Sequence, residues 1–272
     1  MPSIDLARLR KQAVRLADFF FVPDEFTRNL NVVLDTYFNY TIRARRPAGQ
    51  GTNLPTHRTP TVVMKQIEQE LAPLASAPEN ADASVALADR LWDEAWLETR
   101  LLAAFLLGRI PPEEGPLLAR LTAWTSQVRD PELRSRLLDS SLLRMRKDAP
   151  DMFLHLLAEW LRPERTHLWP DAIRAAEAAI NDPAFGNLPA LMDALEPVVK
   201  AAPAEIQLDL QELILAMFRV SPTETGYFVR QVLTTSEDAM TATAFRRMTP
   251  FFPEELREEI RELVRGKPFS MA

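Results

Sequence analysis

The fold is decided by residues 130–161, DPELRSRLLDSSLLRMRKDAPDMFLHLLAEWL. Asp130-Pro131-Glu132 opens the stretch, and Ala149-Pro150-Asp151 repeats the arrangement nineteen residues later. A proline in the first helical turn loses nothing, because its missing N–H would be unpaired there, and an acidic residue beside it complements the helix dipole. Between the two starts, and again after the second, leucines recur at helical spacing. Thr59-Pro60, Ser221-Pro222-Thr223-Glu224 and Phe252-Pro253-Glu254-Glu255 repeat the pattern elsewhere. The reading is therefore all-α.

Composition agrees. The 272 residues include 7 glycines and 22 prolines, whereas average usage would give roughly nineteen glycines. Folds that need many glycine turns start at a disadvantage, and leucine, alanine, glutamate and arginine are good helix formers. Apolar residues make up 47% and charged residues 26%, enough for a core and against general disorder.

Working outward, an N-terminal pair of helices is expected over 1–43 (Ser3–Phe20 and Asp24–Arg43). An irregular loop follows over Ala44–Arg58, and then twelve helices at intervals of roughly 17 to 20 residues run from Thr59 to the C-terminus, about fourteen in all. One helix is expected over Asp130–Lys147 and the next over Ala149–Leu161. Two helices per 35 to 40 residues with short loops describe stacked helical hairpins, a curved HEAT-like array over 59–272. An irregular helical bundle is the alternative. The last helix carries Glu254, Glu255, Glu258, Glu259 and Glu262 against Arg257, Arg261 and Arg265, and reads as a polar terminal cap.

Several chemistries are excluded or unsupported. Without cysteine there is no disulfide or thiolate site. His57, His155 and His167 are isolated, so neither a metal nor a cofactor is expected, and His155 within MFLHLLAEWL reads as a partly buried structural residue. No glycine-rich phosphate loop, GxSxG or HExxH occurs. MPSIDLARLRKQ lacks the apolar centre of a secretory signal, and no apolar stretch approaches the roughly twenty residues of a membrane span. The expected location is cytoplasmic.

The net charge is −6, unfavourable for binding a polyanion, but it is unevenly spread. Residues 1–60 carry nine Lys/Arg against five Asp/Glu, and 129–174 carry nine against eight, while the rest of the chain is acidic. Trp92, Trp96, Trp124, Trp160 and Trp169 all fall in under a third of the chain. Indoles can stack on bases or hold cations over a ring face, and they equally fill cores.

At Ala88–Ala104, ADRLWDEAWLETRLLAA, the chain resembles the DNA alkylation repair proteins built from HEAT-like repeats, whose signature runs "LW, then a few residues, then E-x-R-x-x-A". Leu137-Leu138-Asp139 followed by Leu142-Leu143 and Ala149-Pro150 is similar to that family's aspartate-bearing segment, and Leu168-Trp169 with Ile173-Arg174-Ala175-Ala176 resembles its "W, then R-x-A" helix. The resemblance covers about residues 59–240. It implies a concave basic groove that holds duplex DNA and, in active members, excision of cationic N3- or N7-alkylated purines. A carboxylate would then stabilise an oxocarbenium-like sugar, as glycosidase carboxylates do. On this mapping Asp139 is the carboxylate, and Trp92, Trp124 and Trp169 are aromatic contacts to lesion or DNA. Arg134, Arg136, Arg144, Arg146 and Arg174 are phosphate contacts. Ser135 stands where the family carries a tryptophan, and Pro170 separates Trp169 from Arg174. Arg45 and Arg46, in the glycine-containing loop, are expected loop contacts to a phosphate or a minor groove. The alternative is a non-catalytic HEAT-like scaffold whose partner is another protein.

Overall fold

A computed structural model describes residues 4–38, 52–112, 116–183, 185–236 and 239–265. These residues are all-α, as expected, with fifteen α-helices and four short 3-10 turns. The chain divides into two compact units, Met1–Asp148 and Ala149–Ala272.

The first unit holds α1 (Leu6–Ala17), α2 (Pro23–Thr36), α3 (Thr61–Ser76), α4 (Ala81–Trp92), α5 (Leu97–Leu107), α6 (Pro116–Gln127), α7 (Pro131–Ser140) and α8 (Leu143–Asp148). Helices α1, α3, α5 and α7 pack in succession as one layer, while α2 lies on α4 in the other. Neighbours α1 and α2, α3 and α4, α4 and α5, and α6 and α7 also pack on one another, so that helices of the two layers are joined in pairs as in a stacked helical array. The core follows from the apolar stripes. Leu9 and Leu16 of α1, Phe26, Leu30 and Leu34 of α2, and Ile67 and Leu71 of α3 are essentially inaccessible, each such side chain contributing about 1.5–3 kcal/mol.

The second unit holds α9 (Pro150–Trp160), α10 (Trp169–Ile180), α11 (Leu188–Ala201), α12 (Gln207–Val220), α13 (Pro222–Thr235), α14 (Ala239–Met248) and α15 (Glu254–Val264). The same two-layer order recurs, α9 on α11 on α13 on α15, with α10 on α12 on α14. Phe153, Trp160, Phe245 and Phe252 fill its centre. No described helix is long and apolar enough to cross a membrane.

The proline punctuation is visible in the helix starts. Pro131, Pro150 and Pro222 occupy the first turns of α7, α9 and α13, whereas Pro60 and Pro253 stand one residue earlier, as the N-cap residues of α3 and α15. The continuous helix expected over Asp130–Lys147 breaks into α7 and α8. Its break lies at Ser141-Leu142, where the Ser141 hydroxyl donates to the carbonyl of Ala104 on α5 at 3.1 Å. Two adjacent serines are weak helix formers that readily bond outside the helix ladder, and here the neighbouring helix supplies the acceptor. His155, expected to be partly buried, is exposed. Phe153, Leu156, Leu157 and Trp160 form the buried stripe of α9, and position 155 lies off that phase.

Candidate nucleic-acid interface

Asp139 is the next-to-last residue of α7 and its side chain is 60% exposed. The Arg146 guanidinium lies 3.5 Å from its carboxylate and is only 2% exposed. Burial takes Arg146 out of the set able to touch a phosphate, and it acts instead as an internal counter-charge. Arg144 is similarly committed. Its Nη1 donates to the carbonyls of Ser76 (2.9 Å) and Arg109 (2.5 Å), and its Nε to Asp148 (3.0 Å). This guanidinium ties the ends of α3 and α5 to α8. Arg136 donates to Glu68 of α3 at 3.2 Å, and Arg134 is half-buried on α7. In the second unit, Arg174 lies 3.7 Å from Asp209 of α12. Arg45 and Arg46 fall outside the described residues.

The tryptophans divide into separate environments. Trp92 and Trp124 stack in parallel with centroids 4.0 Å apart and an interplanar angle of 1°. Trp169 is buried in the second unit, and its Nε1–H donates to the Arg162 carbonyl at 3.1 Å. Trp160 is completely buried. Trp92 borders a pocket together with Asp130 and Leu133, at the start of α7, while Asp139 stands at the far end of that helix. At 1.5 Å per residue the two ends are about 13 Å apart. Within the first unit, therefore, the indole pair and the carboxylate do not converge.

Glu98-Thr99-Arg100, read above as resembling part of a repair-family signature, has a structural use. Glu98 is buried, and its carboxylate accepts the backbone N–H groups of His57 (3.0 Å) and Thr59 (3.4 Å). Arg100 Nε donates to the carbonyls of Trp92 (3.1 Å) and Glu94 (2.8 Å), closing the C-terminal end of α4. The segment from Thr52 to Thr59 is thereby held in place. The Leu97 N–H donates to the Pro55 carbonyl at 2.9 Å, and the Thr52 hydroxyl and the Asn53 N–H both donate to Asp130, each at 2.7 Å. His57 Nδ1 lies 2.9 Å from Asp35 of α2, and its ring sits 4.1 Å from that of Trp96. Asp130 also caps α7 through the Leu133 N–H at 3.0 Å. Burial raises the proton affinity of its carboxyl, but donation from Leu133, Thr52 and Asn53 outweighs that effect and holds the group below the ordinary aspartate range.

Sequence reading had no particular use for α1, LARLRKQAVRLA. Leu9, Ala13 and Leu16 form its buried stripe, while Arg8, Arg10, Lys11 and Arg15 are exposed. The helix contains no acidic residue. Among the described residues its one ion pair is Arg10 with Glu70, at a loose 3.9 Å. The signal available in advance was the excess of basic residues over 1–60. Among the described residues no group of three or more His, Asp or Glu side chains could hold a metal ion. Comparison of the chain with protein families, with curated proteins and with solved structures returns no match.

Proposed function

We propose that this chain is a helical-array protein that binds duplex DNA through a cationic outer surface and does not excise bases. The observation that carries the reading is α1. It has four exposed cations on one twelve-residue helix, no acid among them and one loose ion pair. Four exposed cations on a packed helix, three of them without an ion pair among the described residues, suit phosphate contacts of the sequence-independent kind. Order and spacing of the motifs at 88–104, 137–143 and 168–176 support the kinship with DNA alkylation repair proteins, and hence DNA as the polyanion. Separation of Asp139 from the Trp92–Trp124 stack argues against base excision, because stabilising a developing sugar cation needs a carboxylate placed beside the held nucleotide.

The test is fluorescence anisotropy with a labelled duplex at 50 and 200 mM salt. Four phosphate contacts predict a fall in affinity of about 150-fold over that range. Charge reversal of Arg8, Lys11 and Arg15 together should abolish most of the binding and flatten the salt dependence. A duplex containing 7-methylguanine should be bound without base release. No binding of wild type at 50 mM salt would refute the reading and leave the scaffold for a protein partner. Release of the methylated base, lost in Asp139→Asn, would refute its non-catalytic part.

A further inference from the structure

A cavity of about 250 Å³ in the first unit lies beside the Trp92–Trp124 stack, and Arg100 and Arg129 line it together with Asn53, Trp92, Gln127 and Asp130. We infer that this cavity is a binding site for a small phosphomonoester, gripped by Arg100 and Arg129. The argument begins with what is already spent. Asp130 receives hydrogen bonds from Leu133, Thr52 and Asn53 and, among the described residues, forms no ion pair with either arginine; it stays ionised, so the two guanidiniums leave the cavity with a single net positive charge. Arg100 uses Nε for the carbonyls of Trp92 and Glu94, which fixes its guanidinium 5.6 Å from the centroid of the Trp92 ring. Arg129 uses Nη1 for the carbonyls of Ser126 and Val128. Among the described residues neither arginine has a carboxylate partner, and Nη1 and Nη2 of Arg100 and Nη2 of Arg129 retain their donors. Two guanidiniums, each oriented by its bonds to main-chain carbonyls, on one cavity match the fork geometry that binds phosphate.

Size and walls narrow the ligand. At about 250 Å³ the cavity offers more room than a bare phosphate would fill. The amides of Asn53 and Gln127 add neutral donors and acceptors suited to a sugar or base attached to the phosphate. The Trp92 ring already has Trp124 on one face, so the indole forms a wall rather than an open stacking platform. A nucleoside monophosphate, or the 5′-phosphorylated end of a strand, has the required chemistry. The site shares no residue with α1 and does not depend on the duplex-binding reading.

The experiment titrates the full chain with AMP, with inorganic phosphate, and with short single strands bearing either a 5′-phosphate or a 5′-hydroxyl. Tryptophan fluorescence and calorimetry are the readouts. AMP is expected to bind saturably and inorganic phosphate to compete with it. Arg129→Gln, which alters an exposed side chain, should weaken AMP at least tenfold while leaving the melting temperature in place. Arg129→Lys, which keeps the charge and loses the fork, should fall between the two. Charge reversal on α1 should leave AMP binding unchanged. Preference for the phosphorylated strand over AMP would assign the strand end as the source, and equal or tighter AMP binding a free nucleotide. No saturable signal from AMP, inorganic phosphate or the phosphorylated strand at millimolar concentration would overturn the inference, as would wild-type affinity in both Arg129→Gln and Arg100→Gln.

Discussion

Replacement of Gly108 by alanine tests how closely α5 and α7 cross. Gly108 is the C-cap of α5 with φ −73° and ψ −1°, an ordinary right-handed conformation that alanine adopts freely. On backbone grounds alone the change would stabilise the protein by about 0.4–1 kcal/mol, through a less flexible unfolded chain. Packing reverses the sign. A Cβ on Gly108 would stand 1.7 Å from the main-chain oxygen of Ser140 and 2.8 Å from its carbonyl carbon, where real Cβ contacts stay beyond 3.0 Å. The helices would have to separate by about 1.3 Å, and the obstacle is backbone, which cannot rotate aside as a side-chain end can. Separation would also strain the bond from the Ser141 hydroxyl to the Ala104 carbonyl. Overpacking costs typically 1–3 kcal/mol, and a main-chain obstacle belongs at the upper end, so Gly108→Ala should lose about 3 kcal/mol. For a unit of this size that is a fall of roughly 10 °C in melting temperature. Thermal and urea unfolding followed by circular dichroism and tryptophan fluorescence measure it, with Gly186→Ala as control, since nothing lies within 4 Å of a Cβ there. Equal melting of Gly108→Ala and the control would refute the close crossing.

Asp130→Ala removes the α7 cap and both anchors of residues 52–53, and should cost about 3 kcal/mol at pH 7 by urea unfolding. Because the folded carboxyl lies below its unfolded value near 3.9, its stabilisation is present above that pH and lost as pH falls through the folded value. The difference from wild type should therefore shrink below about pH 4. Arg144→Ala should cost roughly 2 kcal/mol through its carbonyl and Asp148 bonds, without rescue by lysine and without changing the salt dependence of duplex binding. Glu177 is pushed up, first by burial and then by the neighbouring Glu212. A raised carboxyl favours folding below its unfolded value and loses that contribution as pH rises through the folded one. Glu177→Gln should thus melt higher than wild type at pH 7, with the advantage absent near pH 4.

The architecture was readable wherever its causes are local. Proline with an acidic neighbour marked α7, α9 and α13, because the first helical turn tolerates one and attracts the other. Asp130 was already recognisable as a helix start, although its bonds to Thr52 and Asn53, nearly eighty residues away in sequence, leave no local trace. The same limit applies to the arginines. Spacing placed Arg136, Arg144 and Arg146 near one another, yet Glu68 and Ser76 of α3 and Arg109 just after α5 determine what the guanidiniums of Arg136 and Arg144 bind. His155 is different, since helical phase against Phe153, Leu156 and Leu157 would have put it on the outer side of α9. The α1 surface was visible in outline as local charge, but only packing shows which side of the helix faces outward.

Residues 52–59 reach Asp35 on α2, Glu98 and Leu97 on α5, and Asp130 at the head of α7. Helical arrays ordinarily open from one end, repeat by repeat, because each layer is bound only to adjacent ones. A brace that skips several layers couples the first helices to the seventh, so that stretch of the chain must open as one cooperative block or first release the brace. Amide protons of Asn53 and His57 would then exchange with solvent as slowly as those at the helix centres, although they belong to no helix.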